Sequence, residues 1–302
     1  MSAVETITRI ERLNSAASKR VVDPDNEIAG RPGPGQIIPD ELLSVAGLAL
    51  ELTPEQKAKL SREEIASIAA EGIRFEAVLT AGFGLEIATA PKVTDPRVTF
   101  LLHEIGEESR HSRLFVRLIE GLEPTAESPF DRPIFKTLMR FGVRQIISRP
   151  ALLYTLVLGG EEIPDLLQKL ASEHPDTDDF VRAVNKYHRM EEARHLSYAR
   201  AVLPEVWAKA SWHDKYAVRR IAPLAIKGMF ETLVHPGVYE SIGLPGWETW
   251  KAVNRSPERI AIRHQATRPV LDALVDGGVF SKGRIPKRWQ KLCGVDRGGE
   301  PV

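Results

Sequence analysis

Apolar side chains recur along most of the chain at three- and four-residue intervals, the spacing of an amphipathic helix. No segment alternates with the two-residue period of a strand. Capping residues, prolines and glycines divide the pattern into helices that we expect near 61–90, 96–120, 131–148, 150–171, 176–203, 211–234 and 257–275. The chain is therefore predicted to be all-α.

Two capping boxes precede the first long helix, Thr53-Pro54-Glu55-Gln56 and Ser61-Arg62-Glu63-Glu64. In each of them a hydroxyl can accept from a free backbone N–H while the Glu or Gln three residues later reaches back. We place the start of the helix at the second box. Further along the chain, Pro204 is expected to close the helix that begins near Asp176.

The two ends of the chain lack the helical pattern. Residues 1–39 are polar and are interrupted by Arg-Pro-Gly-Pro-Gly at 31–35, which predicts a flexible N-terminal arm. Residues 281–302 carry six Lys and Arg in a short polar stretch, which predicts a solvated basic tail. We expect one helical domain over 40–280, with a bundle core near 61–205 and later helices, near 211–275, that cover a pocket.

Composition narrows the class of protein. The 41 Lys and Arg are balanced by 41 Asp and Glu, so the chain lacks the basic excess of proteins that bind nucleic acid by displacing counterions. The longest apolar run, 151–158, is far shorter than a bilayer span, and the single Cys293 cannot form an internal disulfide. We expect a cytoplasmic homodimer that has neither nucleic acid nor a membrane as partner.

An internal repeat contains the candidate chemistry. Glu107-Glu108-Ser109-Arg110-His111 recurs as Glu191-Glu192-Ala193-Arg194-His195, identical at four of five positions. In each copy the second Glu and the His are three residues apart, so both side chains leave the same helix face. His188 adds a third group to that face in the second copy. The first Glu and the Arg of each copy can pair, and we expect these pairs to face solvent.

Apolar neighbours place the repeated groups in the core, since Leu101, Ile105 and Phe115 share the face of Glu108. Burying carboxylates and imidazoles among such residues is costly unless a positive charge compensates them. A metal ion would supply that charge. Carboxylate and imidazole donors together favour iron or manganese.

Each copy of the repeat also has a carboxylate about thirty residues before it, on an apolar helix stripe. Glu76 lies 32 residues before Glu108, and Glu161 lies 31 residues before Glu192. One Glu and one Glu-x-x-His from each of two helix pairs form the ligand set of ferritin-like di-iron and di-manganese bundles. The sequence therefore predicts a two-metal site within a helical bundle.

Some acids near these candidates stay open as alternatives or as hydrogen-bond partners: Glu71, Glu104, Glu162 and Asp165. A change of one residue in helix phase would favour Glu162 over Glu161, and Glu71 is a lesser rival to Glu76. The other two acids lie one turn from a candidate ligand. Each of them could orient a ligand histidine or lie at the edge of the core.

The string His188-Arg189-Met190-Glu191-Glu192-Ala193-Arg194-His195, with Glu108-Ser109-Arg110-His111, resembles the p-aminobenzoate N-oxygenase family of di-iron proteins. That family adds a third histidine, one turn before the second Glu-x-x-His, to the ferritin-like ligand set. The resemblance extends over roughly 50–240 and implies a ferritin-like four-helix bundle with additional N- and C-terminal helices. It implies seven iron ligands, namely Glu76, Glu108, His111, Glu161, His188, Glu192 and His195.

The resemblance also implies a function. It implies an oxidoreductase with two iron ions per chain, or manganese, that uses O2 to N-oxygenate a small amine of the arylamine type. No catalytic residue beyond the metal ligands is assigned. The sequence has no flavin or nicotinamide motif, so the electrons are expected from a separate reductase or small donor. A ferritin-like ferroxidase, a di-iron C–H oxidase and a helical binding module without metal are the alternatives.

Overall fold

The computed structural model describes residues 3–19 and 21–302 of the chain. These residues form α-helices and short connections, and no β-strand occurs among them. The helices are α1 Ala3–Lys19, α2 Pro24–Glu27, α3 Pro54–Ala88, α4 Pro96–Leu122, α5 Pro133–Ile147, α6 Pro150–Glu173, α7 Asp179–Lys209, α8 Trp212–Arg220, α9 Ala222–Thr232, α10 Pro236–Glu240, α11 Gly246–Val253, α12 Pro257–Asp276 and α13 Lys287–Cys293. The prediction of an all-α protein is confirmed.

The four longest helices form a ferritin-like bundle. Short turns join α3 to α4 and α6 to α7, and each of these helices packs chiefly on its partner. The pairs meet where α3 contacts α6 and where α4 contacts α7. The connection between the pairs contains α5, and the helices after α7 cover the α6 side of the bundle, chiefly through α8, α9 and α12.

Helix α3 begins at the first of the two capping boxes. The backbone N–H of Thr53 donates to Gln56 Oε1 at 3.0 Å, and the N–H of Gln56 donates to Thr53 Oγ1 at 3.3 Å. The predicted start at Ser61 is wrong, because the Ser61 hydroxyl accepts instead from the Ile37 N–H at 3.1 Å. That bond ties the segment before α3 to the side of the helix.

The prediction that Pro204 ends its helix is also wrong. Helix α7 continues through Pro204 to Lys209. Beyond the proline, Glu205 forms an ion pair with Arg97 of α4, and Trp207 packs against the core. Tertiary contacts therefore outweigh the loss of one backbone hydrogen bond.

The expected flexible arm at residues 1–39 is structured in its described part, which leaves out residues 1, 2 and 20. Helix α1 packs on α4 and α7, where Ile10 is fully buried and the Arg9 guanidinium donates to Ser197 Oγ at 2.8 Å. Further along, Ile37 is fully buried as well. The arm is thus an outer layer of the bundle.

The expected solvated tail is an anchor. Trp289 of α13 is fully buried, and its indole N–H donates to the Val218 carbonyl at 3.0 Å. Cys293 is buried beside it as a free thiol. The basic side chains of this segment surround a small apolar face. Because the basic residues dominate the sequence pattern, the pattern does not reveal this face. Across the described ranges, 3–19 and 21–302, no helix is both long and apolar enough to span a bilayer.

Glycine lets α9 approach α6 closely just before Glu161. A Cβ at Gly159 would lie 2.7 Å from Cγ1 of Ile226, a fully buried side chain. We predict that Gly159→Ala lowers the free energy of unfolding by about 1–3 kcal/mol, measured by urea denaturation. In the control Gly84→Ala, the added methyl meets no atom within 4 Å, so stability should stay the same or rise by up to about 1 kcal/mol. Equal effects of the two variants would contradict this packing.

Candidate metal centre

The four bundle helices bring all seven candidate ligands together at the centre of the bundle. The side chains are at most 4% exposed and come from α3 (Glu76), α4 (Glu108, His111), α6 (Glu161) and α7 (His188, Glu192, His195). They form two groups, and within each group the possible ligand atoms lie within 4.8 Å of one another. One group is Glu76, His111 and His188, and the other is Glu108, Glu161, Glu192 and His195. Two buried groups, with three possible ligands in one and four in the other, are suited to a pair of metal ions.

Glu108 and Glu192 belong to the second group but also approach His111 of the first. One oxygen of Glu108 is 3.5 Å from His111 Nδ1, and the other is 3.3 Å from His195 Nδ1. Glu192 has the same relation to both rings, at 3.2 Å and 2.9 Å. Each carboxylate therefore faces both groups, as a bridging ligand must.

An acceptor outside the two groups fixes each imidazole. The Nε2–H of His111 donates to Glu191 at 3.1 Å, and the Nε2–H of His195 donates to Glu107 at 2.9 Å. His188 is held the other way round, since its Nδ1–H donates to Gln168 Oε1 at 2.9 Å. The second ring nitrogen of each His faces the carboxylates of the two donor groups, which we call the inner carboxylates, in contrast to the outer carboxylates of Glu107 and Glu191. A lone pair of each ring is therefore directed at the centre of the site.

The prediction that Glu107 and Glu191 face solvent is wrong. They are 4% and 1% exposed, because α4 and α7 face each other and the residue before each inner Glu lies in the seam between them. Each one holds the histidine of the other copy of the repeat. Arg194 lies 2.9 Å from Glu107 and 3.4 Å from Glu191, and Arg110 lies 3.6 Å from Glu191. The outer carboxylates are thus neutralised by arginines.

The inner carboxylates have no such compensation. Several buried atoms that could bind a metal ion have no hydrogen-bond partner: Oε1 of Glu76, both oxygens of Glu108, Oε1 of Glu161, Oε1 of Glu192 and Nδ1 of His111. Unpaired groups of this kind cost free energy when they are buried. Four carboxylates carry a formal charge of about −4, which two divalent cations would balance. The donor set therefore fits a pair of bound metal ions.

The directions of the pKa shifts reflect the same lack of positive charge around the buried carboxylates. Burial raises the pKa of the Glu161 carboxyl well above its usual range. Burial opposes protonation of the His111 ring, yet the carboxylates of Glu108, Glu191 and Glu192 raise its pKa above the ordinary value. The pKa of His195 is raised by the same balance, with Glu192 as the main carboxylate. The cluster thus attracts positive charge, whether from protons or from metal ions.

An apolar cavity of about 260 Å³ adjoins the site. Glu76, Glu161 and His188 form part of its wall, and apolar side chains of α3, α5, α6 and α9 form most of the rest. Three of the candidate ligands are therefore accessible to a small molecule held in the cavity.

Comparison with known proteins agrees with this arrangement. A family model described as P-aminobenzoate N-oxygenase AurF matches residues 5–278. The chain belongs to this family. The match is longer than the region of resemblance in the sequence, since it begins within α1 and ends just after α12. The AurF family points to an oxygenase of the di-iron type.

Curated relatives are similar over a shorter region. Uncharacterized proteins of Mycobacterium bovis and Mycobacterium tuberculosis are each 24% identical over 199 residues, which is 63% of this chain and 56% of each relative. The chain thus spans a little over half the length of these relatives.

Three of the four acids that the sequence left open lie outside the two donor groups and are paired with arginines. Glu71, Glu162 and Asp165 form ion pairs with Arg74, Arg200 and Arg189, respectively. The structure therefore favours Glu76 and Glu161 over their rivals. Glu104 is buried, and one of its oxygens has no partner, but it lies outside both donor groups. Its carboxyl has a pKa raised well above the usual range by burial.

Sequence reasoning missed Gln168, the acceptor that holds His188. It lies seven residues after Glu161, which places it on the same face of α6, and this spacing was the available signal. Asp165, which the sequence leaves open for such a role, accepts instead from Arg189 Nε at 2.7 Å.

The outer acceptors give a first prediction about metal retention. Replacing Glu107 by Ala leaves His195 without its acceptor, and we expect metal affinity to fall about 10–100-fold, as for other such partners. The measurement is the rate and extent of Fe²⁺ or Mn²⁺ removal by a competing chelator. Glu107→Gln keeps a carbonyl acceptor and should restore most of the retention. The control is Glu120→Ala, on an exposed position of α4, which should behave as wild type. Equal retention by Glu107→Ala and Glu120→Ala would contradict the assigned role.

Proposed function

We propose that this chain is a di-iron oxygenase that uses O2 to oxidise the nitrogen of a small amine of the arylamine type. Membership of the AurF family supports an oxygenase. The observation that carries the proposal is the adjacency of a donor cluster with unpartnered inner atoms to an apolar cavity of about 260 Å³. A site for metal and a site for an organic molecule then share Glu76, Glu161 and His188.

In this proposal the seven residues hold two iron ions. Glu108 and Glu192, each of which faces both donor groups, would hold the metal pair together with Glu76 and Glu161. His111, His188 and His195 each offer the ring nitrogen that faces the centre. The bound iron pair would supply the redox chemistry for activating O2.

The remaining roles belong to the chain itself. Side chains of α3, α5, α6 and α9 enclose the amine and exclude water, so that its nitrogen lies beside Glu76, Glu161 and His188. Glu107, Glu191 and Gln168 keep the imidazoles in a fixed tautomer and orientation. Electrons come from a separate reductase or small donor, since the sequence has no flavin or nicotinamide motif.

The cavity also favours an oxygenase over a ferroxidase. Met229, Thr232 and Leu233, which lie in α9 or just after it, complete the cavity wall although they lie outside the four-helix bundle. Iron storage requires a path for ions, whereas these apolar walls are suited to an organic molecule. Helices added to the bundle therefore shape a substrate site.

A direct experiment combines metal analysis with turnover. We expect about two iron ions per chain after anaerobic loading, and an oxygenated amine product that carries ¹⁸O when the reduced protein is exposed to ¹⁸O2 with an arylamine panel. Iron oxidation without any labelled product would favour the ferroxidase. A chain that binds less than one metal ion would sink the proposed site.

His188 provides a sharper test because it borders both the cluster and the cavity. We expect His188→Ala to keep the fold and most of the iron, since six other ligands remain, but to lose amine oxygenation. Circular dichroism, iron content and product yield are measured together. The exposed His213→Ala serves as the control and should leave all three unchanged. Normal product yield from His188→Ala would refute a ligand role for this histidine.

A further inference from the structure

Among the residues that the structure describes, those with charged groups line the cavity beside the proposed iron site in two places. At its buried end lie Glu76, Glu161 and His188, which belong to the donor cluster. Towards solvent lie Glu71 and Arg74, whose side chains are 20% and 36% exposed. The rest of the wall is apolar or carries neutral polar groups. A bound molecule must therefore find partners for any charge of its own at one of these two places.

Arg74 is already paired on both sides. Its guanidinium donates to Glu71 within the same helix, and it donates to both oxygens of Asp131 at 2.8 and 3.0 Å. Of the cavity-lining residues in the described chain, Arg74 is the one guanidinium, and no Lys is among them. Two carboxylates thus surround the one permanent cation that the described residues contribute to the cavity wall.

The turn that carries Asp131 is held by aromatic packing. The ring of Phe130 lies 5.7 Å from that of Phe135, 5.9 Å from that of Trp247 and 6.5 Å from that of Trp250, measured between centroids. Three edge-to-face contacts fix this short segment. Asp131 is therefore positioned against Arg74 by the fold, and displacing it would disrupt those contacts.

The other polar groups of the wall are neutral. Asn185 is buried near His188, and Gln168 and Thr232 line the cavity as well. Amides and hydroxyls can bind a neutral polar substituent, but they do not supply the charge that a buried carboxylate requires.

The size of the cavity limits the molecule to about one ring. An apolar cavity of about 150 Å³ holds benzene. The volume of about 260 Å³ leaves room for a ring with one or two small substituents.

We propose that the substrate class of this site is a single-ring amine whose other substituents are uncharged, and that ring amines with a carboxylate are discriminated against by the Glu71–Arg74–Asp131 triad. This inference rests on the proposed N-oxygenase function. It separates the chain from the substrate after which its family is described, because p-aminobenzoate carries a carboxylate. Such an anion would have to displace Glu71 or Asp131 or remain unpaired among apolar side chains.

The test compares ligands of equal shape and different charge. Binding of 4-aminobenzamide, 4-isopropylaniline and 4-aminobenzoate is measured by calorimetry on the iron-loaded chain without reductant, so that no turnover occurs. We expect both neutral amines to bind at least about tenfold more tightly than the carboxylate. Equal or tighter binding of 4-aminobenzoate overturns the proposal, as does the absence of binding by every amine in the panel.

A charge variant separates the triad from a merely structural effect. Glu71→Gln leaves Arg74 with one carboxylate, so the Kd for 4-aminobenzoate should fall at least about fivefold while that for 4-aminobenzamide stays within about twofold. The matched control is Asp179→Asn, which removes a carboxylate from an exposed i,i+3 pair with Arg182 in α7. It should change neither value. An equal change for both ligands in Glu71→Gln contradicts charge discrimination.

Failure of this inference and failure of the proposed function give different results. Selective binding of neutral amines without any oxygenated product would leave the cavity assignment intact and refute the N-oxygenase. Oxygenation with a preference for 4-aminobenzoate would do the reverse.

Discussion

The structure depends on burying four carboxylates and three imidazoles at the centre of a helical bundle. Such a cluster is unfavourable on its own, because unpaired charges are poorly solvated in a protein interior. Two divalent ions would neutralise the cluster. Each residue of the repeat Glu-Glu-x-Arg-His other than the variable one contributes to the cluster or to the charge balance around it. Its second Glu and its His face the centre, its first Glu holds the His of the other copy, and its Arg pairs with the first Glu of the other copy. The four identical positions of the repeat thus serve three electrostatic tasks.

The helical architecture could be predicted because it follows from short-range signals. Caps, prolines and apolar spacing are local signals. For most of the ends of the four bundle helices, they predicted the boundary to within a few residues. The errors arose where tertiary contacts decide. Ser61 has the sequence of a helix start, but its hydroxyl serves Ile37, and Pro204 has the form of a helix end, but the contacts of Trp207 carry α7 past it. The predictions for the two terminal segments failed for a related reason. A few buried side chains, such as Ile10 and Ile37 at one end and Trp289 at the other, anchor a polar sequence.

The candidate site could be predicted to a similar depth. Helix periodicity brings Glu and His to one face, so the spacing of these residues was enough to select the candidate ligands. In the structure all seven belong to one or the other of the two donor groups. The roles of Glu107 and Glu191 depend on how α4 faces α7, which a single helix does not encode. An i,i+3 Glu-Arg pair is usually a surface feature. Here the same pair spans the seam, with Arg110 and Arg194 at its partly exposed edge.

Two arrangements of arginine and carboxylate thus separate the tasks of this chain. In the seam, Arg110 and Arg194 absorb the charge of the outer acceptors, which leaves the inner carboxylates free for metal. At the cavity, Arg74 is paired with Glu71 and Asp131, so no Arg or Lys among the described residues of the wall is unpaired. The first arrangement preserves negative charge where a metal needs it, and the second removes positive charge where a substrate anion would need it. The two sets of ion pairs share no residue, so a substitution in the Glu71–Arg74–Asp131 triad would leave the arginines of the seam in place.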